Sequence, residues 1–296
     1  MKRAVLIISL LALAACASTP SINRFKGLAE LGRGFEGAVD KVIDQAAMTN
    51  VDANSQELLT SRALRTQTRA ERAATLAEHD EAIIAANRTY ADLKHQTALM
   101  SDYFTALGAL ASFDGESAIG ASTSGAVAAL QKLSPSLANA KIGGAALPDL
   151  AGAAAPLVVS GIKSARLRSE LERNGPFISR QLDLQAALLD ALAADIASDQ
   201  DVLAQADLLD DVIKPYADDG PVPGGWSARR REILRQQALA PAPAAEAAEL
   251  SRKLKIAFVA LAEGRIETGD LADYAADLDK LVSLIELIAK PSKTGA

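Results

Sequence analysis

Apolar residues recur at three- and four-residue intervals along most of this chain, and that period admits little besides α-helix. The clearest run is a heptad. Leu76, Ile83, Tyr90, Thr97 and Phe104 stand seven apart, and Ala86, Leu93, Met100 and Leu107 follow the last four by three residues. This is an a/d seam, with Glu81, Arg88, Asp92 and Lys94 largely off it. A second stripe joins Phe25, Leu28, Leu31, Phe35, Val39, Val42 and Ala46. A third joins Ile178, Leu182, Leu189, Leu192, Ile196, Leu203, Ala206 and Ile213, widened by Leu188, Val202 and Leu209. The last runs through Leu271, Tyr274, Leu278, Leu281, Ile285 and Ile288. Aromatics are only 4% of the chain, Trp226 is the one tryptophan, and no stretch alternates with period two. The expected fold is therefore all-α: an elongated antiparallel helical bundle with long coiled-coil-like helices and an apolar helical hairpin.

Breaks divide the pattern. A helix starts at Ile22, and Asn50 to Ser55 read as its end. A very long helix is expected over 56–111, and Phe113-Asp114-Gly115-Glu116 as a turn. The apolar hairpin covers 117–173, with Ser134-Pro135-Ser136, Gly143-Gly144 and Pro148 as breaks and a second helix over 149–173. Asn174-Gly175-Pro176 reads as a stop and restart before a helix over 177–216. Residues 218–225 (Asp-Asp-Gly-Pro-Val-Pro-Gly-Gly) are the clearest loop. Ser227 caps a short helix to about Ala238, Pro241 and Pro243 interrupt it, another covers 244–264, and Thr268 caps the last. The organisation expected is one domain over 22–290 and a polar tail over 291–296.

The N-terminus carries an address. Lys2 and Arg3 precede an apolar run over 4–12, and Leu13-Ala14-Ala15-Cys16 follows, with the only cysteine of the chain. These sixteen residues resemble a bacterial lipoprotein signal peptide with its lipobox. The resemblance implies cleavage after Ala15, acylation of Cys16 (palmitate among the chains), and a short lipidated tether over 16–21. Ala17, where aspartate commonly marks inner-membrane retention, implies the outer membrane, on its periplasmic side. Several acyl chains hold a protein far more firmly than one. Removal of residues 1–15 takes away Lys2 and Arg3 and moves the formal net charge from −6 to −8. That balance argues against nucleic acid as a partner.

Catalytic patterns are sparse. The two histidines, His79 and His95, stand 16 residues apart, about 160° around a helix, too divergent to ligate one metal. Asp92 and His95 are at i and i+3, faintly like a di-iron pair, but no second pair exists. Ser160-Gly161 lacks the strand a nucleophile elbow needs. Asp199 lies on the third stripe and marks a polar layer or a bundle end. No enzyme activity, metal or cofactor is expected. The expected function is a lipid-anchored scaffold or adaptor that binds a protein partner between its long helices. The seam serves a partner helix within the chain, the better reading, or a homo-oligomer. The alternative is a membrane-perturbing protein inserting the 117–162 hairpin, where Gly120, Ser124 and Ala128 are four apart and residues 142–162 hold one charge, Asp149.

Overall fold

The computed structural model describes residues 20–64, 66–112, 118–143, 145–146, 156–162 and 164–289. The signal peptide, Cys16, the turn at 113–116, Asp149 and the polar tail lie outside them. The elements are α1 (Pro20–Leu64), α2 (Arg69–Ser112), α3 (Ala118–Ala138), β1 (Lys141–Ile142), β2 (Ala145–Ala146), α4 (Ala165–Leu208), a π-helical turn (Leu209–Ile213), α5 (Lys214–Ala217), α6 (Trp226–Leu239), α7 (Ala242–Ala262) and α8 (Thr268–Ala289). The strands form a two-stranded antiparallel hairpin, and the rest is an all-α bundle.

Side-chain pairs set the helix directions. Gln185 donates to Glu36 and Asn50 donates to Asp199, each pair 149 residues apart, so α1 and α4 run parallel. Lys94 meets Asp40 and Asp44, which makes α2 antiparallel to α1. Gly32 belongs to that crossing, since a Cβ there would lie 2.6 Å from the Phe104 ring. Arg252 pairs with Asp190, Lys255 with Asp183, and Phe258 lies beside Gly175, so α7 is antiparallel to α4. Leu271 and Leu278 approach Gly27 and Gly34, so α8 runs with α1.

One apolar core fills the body of the bundle. Phe25, Leu28, Phe35, Phe104, Leu107, Leu130, Leu182, Leu192, Leu254, Phe258 and Leu281 are all within 1% of complete burial. The α1, α4 and α8 stripes read from the sequence supply part of it, and α7 adds Leu250, Leu254, Phe258 and Leu261. The heptad supplies it only from Tyr90 onward: Ile83 and Ala86 are half-buried and Leu76 is 48% exposed.

Several expected breaks are not breaks. α1 runs through Asn50–Ser55, where Ala53 is buried, Asn50 bonds Asp199, and the Ser55 hydroxyl bonds the Val51 carbonyl within the helix. α3 runs through Pro135 and α4 through Asn174-Gly175-Pro176. Each proline lacks an N–H, but the carbonyls left over belong to exposed residues, Gln131 and Glu172. Asn174 bonds Glu170 within the helix, and Gly175 lets Leu157 lie close, 2.8 Å from where a Cβ would be.

Other breaks were not expected. The long helix over 56–111 is two helices, with residues 66–68 non-helical ahead of α2. Thr68 and Glu71 form a reciprocal capping box there: the Thr68 N–H donates to Glu71 and the Glu71 N–H to the Thr68 hydroxyl. Of the helix expected over 149–173, residues 149–155 lie outside the described residues, 156–162 are not helical, and α4 starts at Ala165, where the Ser164 hydroxyl accepts from the Leu167 N–H. α6 begins at Trp226 behind Gly225, which holds φ +85°, instead of behind a Ser227 cap. At α8 the Asp270 carboxylate accepts from the Glu267 N–H, one residue before the expected cap.

Candidate functional site

Two helical hairpins leave the body at one end. Arm 1 is the distal part of α1 with the start of α2, and its described tip is 66–68. Between Asn54 and Thr89 no described residue is buried. Arm 2 is the distal part of α4, the π turn, α5 and α6, with its tip at 218–225. Because α1 and α4 are parallel, both tips point the same way. Pro20, where α1 starts, lies at the other end of the body.

Arm 2 has its own small core. Ala204, Val212 and Ile233 are buried, with Leu208 and Trp226 packed beside them. The Trp226 indole N–H donates to the Val212 carbonyl and the ring stacks on Tyr216 at 5.8 Å. Arg229 bonds Asp207 and Asp211 along one edge. The π turn places an extra residue in the helical cycle, so Val212 takes the inward place the stripe assigned to Ile213. Ile213 is 53% exposed and Leu209 47%, against the sequence expectation that both face the core.

At the root of the arms a polar clasp joins α1, α2 and α4. The buried Tyr90 hydroxyl donates to Asp195 at 3.0 Å, and Asn50 donates to Asp199 at 3.2 Å. Burial pushes the Asp199 carboxyl up to about 6, opposed by the Asn50 hydrogen bond and reinforced by Asp195 and Glu57. Asp195 is raised by burial, against the pull of the Tyr90 hydrogen bond. The turn of the β-hairpin closes over this carboxylate at Gly143, whose φ of +58° favours glycine and where a Cβ would be 2.6 Å from Asp195 Oδ1. A cleft of about 640 Å³ opens beside the clasp, lined by Asn54, Arg88, Asp92, Asn139 and Lys141 among others. On the other side of α1 a groove of about 570 Å³ lies between the arms, with Met48, Leu203, Leu239, Ile285 and Ile288 in its walls.

The sequence-derived candidates scatter. His79 is half-buried in the arm 1 seam with its Nδ1 unpartnered, while His95 is exposed on the body. Asp92 accepts from Ser136. Among the described residues no group of three His, Cys, Asp or Glu side chains could hold a metal. Asp199 does mark a polar layer, as its place on the stripe suggests. Its companions Asp195 and Tyr90 were missed; Tyr90 was read as an apolar seam position, and only its phenol gave a signal. Ser124 and Ala128 of the small-residue stripe face outward, and Thr123, Ala126, Val127, Leu130 and Leu137 pack α3 instead. No described helix is long and apolar enough to cross a membrane. Comparison with protein-family models, curated proteins and solved structures finds no match.

Proposed function

We propose that the protein is a lipid-anchored adaptor of the cell envelope, held at the outer membrane through acylated Cys16, which binds a protein partner and performs no catalysis. One observation carries the reading. Among the described residues thirteen large apolar side chains are exposed, and ten of them lie on the arms: Met48, Val51, Leu59, Leu76, Ile84, Leu209, Ile213, Tyr216, Val222 and Leu234. Apolar surface on paired helices suits recognition by a partner helix. An anchor beside Pro20 stands at the opposite end from both arm tips, about 65 Å away along α1 at 1.5 Å per residue.

The test uses the full chain in a bacterial envelope. Cys16→Ser is expected to abolish labelling by a palmitate analogue and to release the chain from the membrane fraction; retention in that fraction would overturn the anchor. A photo-crosslinking residue at Leu59 or Leu76 is expected to give a discrete protein adduct. Equal adducts from Ile256, an exposed position on the body, would overturn the adaptor reading. The alternative, insertion of the 117–162 region into lipid, is favoured by the 69% exposure of Val158 and opposed by the burial of α3. Val158→Asp leaving liposome flotation unchanged would remove it.

A further inference from the structure

The exposed face of arm 2 is self-complementary. Arg229 occupies the edge with Asp207 and Asp211, and Leu209 and Ile213, two residues further on, lie on the opposite side of the helix. Leu234 and Arg230 of α6 are exposed as well. Leu209, Ile213 and Tyr216, at i, i+4 and i+7 across the π turn, are all exposed. A face of this kind facing water is costly at about 25 cal/mol per Å² of apolar surface left uncovered.

Charge says what covers it. From Asp199 to Asp219 arm 2 carries seven aspartates and one lysine, whereas α6 carries Arg229, Arg230, Arg231 and Arg235 against Glu232. Arg230, Arg231, Asp218 and Asp219 are exposed, and none makes an ion pair with another described residue. The antiparallel register of α4 and α6 is fixed by Gln237 on Asp201 and by Arg229 between Asp207 and Asp211. In that register Arg230 and Arg231 stand level with Leu208 and Asp207. Those levels are five and six residues toward the root from Ile213, and Asp218 and Asp219 are five and six residues toward the tip. A two-fold axis through Ile213 therefore carries the free aspartates of one copy onto the free arginines of the other. It also sets Ile213 on Ile213 and Leu209 beside the partner helix near Tyr216.

We propose that arm 2 is a homodimerisation surface, on which two copies of this chain pack antiparallel about an axis at Ile213. The interface is isologous: apolar at its centre and charge-paired at both ends. The two Pro20 ends then lie at opposite ends of the dimer, and anchors at both reach one membrane when the long axis lies along its surface.

The test is cysteine cross-linking of the full chain in its membrane. Ile213→Cys is expected to give a disulfide-linked dimer under mild oxidation, above the background from Cys16 in the unsubstituted chain. Leu76→Cys on arm 1 is expected to give none. Asp218→Arg with Asp219→Arg should reduce the yield about tenfold or more, because like charges are then juxtaposed. Adding Arg230→Asp and Arg231→Asp to that variant should restore it. All these positions are exposed, and an unchanged circular dichroism spectrum confirms that each variant folds. No cross-link at position 213 would overturn the proposal. So would equal yields from positions 213 and 76, or a yield indifferent to the charge swap, which would indicate collision or another partner on this face.

Discussion

The body and the arms are made of the same helices, yet different forces hold them. In the body, Phe25, Phe35, Tyr103, Phe104 and Phe258 are within 1% of complete burial, in a core to which six helices contribute. In arm 1 the two helices touch along a thin seam in which no described residue between Asn54 and Thr89 is buried. In arm 2 three buried residues with the half-buried Leu208 and Trp226 make the whole core. The body is held by burial. The arms rely on a capping box, ion pairs and an indole hydrogen bond, each worth about 1 kcal/mol or less. A helix thus passes from the most to the least stable part of the molecule along its length, and the exposed apolar surface collects at the less stable end.

The comparison can be broken where the contrast is greatest. Phe104→Ala removes a buried ring from the α1–α2 crossing and should cost about 3–5 kcal/mol in urea unfolding. The loss should be global, and a loss confined to the arms would reverse the assignment of stability. Next is Glu36, buried in the body with Oε1 unpartnered and its pKa pushed up to about 8 by burial, against the Gln185 hydrogen bond. Between pH 4.5 and 8 the folded chain keeps a proton there that the unfolded chain releases, so stability falls as pH rises through that window. Glu36→Gln should therefore raise stability by about 3 kcal/mol at pH 7 and by almost nothing at pH 4. A pH-independent gain would remove the ionisation argument.

Two smaller changes probe the arms. Thr68→Ala should cost about 1 kcal/mol, read as faster hydrogen exchange around the arm 1 tip with the body unchanged. Acid should weaken the same cap, since the Thr68 hydrogen bonds lower the Glu71 pKa and their contribution is lost as pH falls. Arm 1 and Glu36 thus respond to acid in opposite directions. Arg229→Ala should have the least effect, under about 1 kcal/mol, confined to exchange in arm 2. If it unfolded the body as well, the arms would not be separate units of stability.

Much of the architecture was legible because it is written in period. The α1 and α8 stripes, and the α4 stripe as far as Ile196, face the core where spacing put them, and Asp218–Gly225 and Pro241 end helices where Gly, Pro and Asp say they should. Break signals inside a buried stripe were not reliable. Pro135 and Pro176 each weaken a helix locally, but burial on both sides holds it together; the Asn50–Ser55 run is held by the buried Ala53 and the Asn50–Asp199 hydrogen bond. The start of α2 had a readable sign, Thr68 and Glu71 three apart, within a run that otherwise favours helix. The site was less legible. Asp199 announced a polar layer, but nothing local joins Asn50, Tyr90 and Asp195 to it.

By itself the sequence determined that this chain is helical, which faces of most helices are apolar, and where the Asp218–Gly225 loop falls, because those follow from contacts within three or four residues. Only the tertiary structure decided that one long helix is two, that the seam is core on one side of Tyr90 and surface on the other, and that a π turn sends Ile213 outward. Those outcomes depend on which other helix lies alongside. A helix records its own period, but whether that period meets a neighbour is settled by chain segments a hundred residues away.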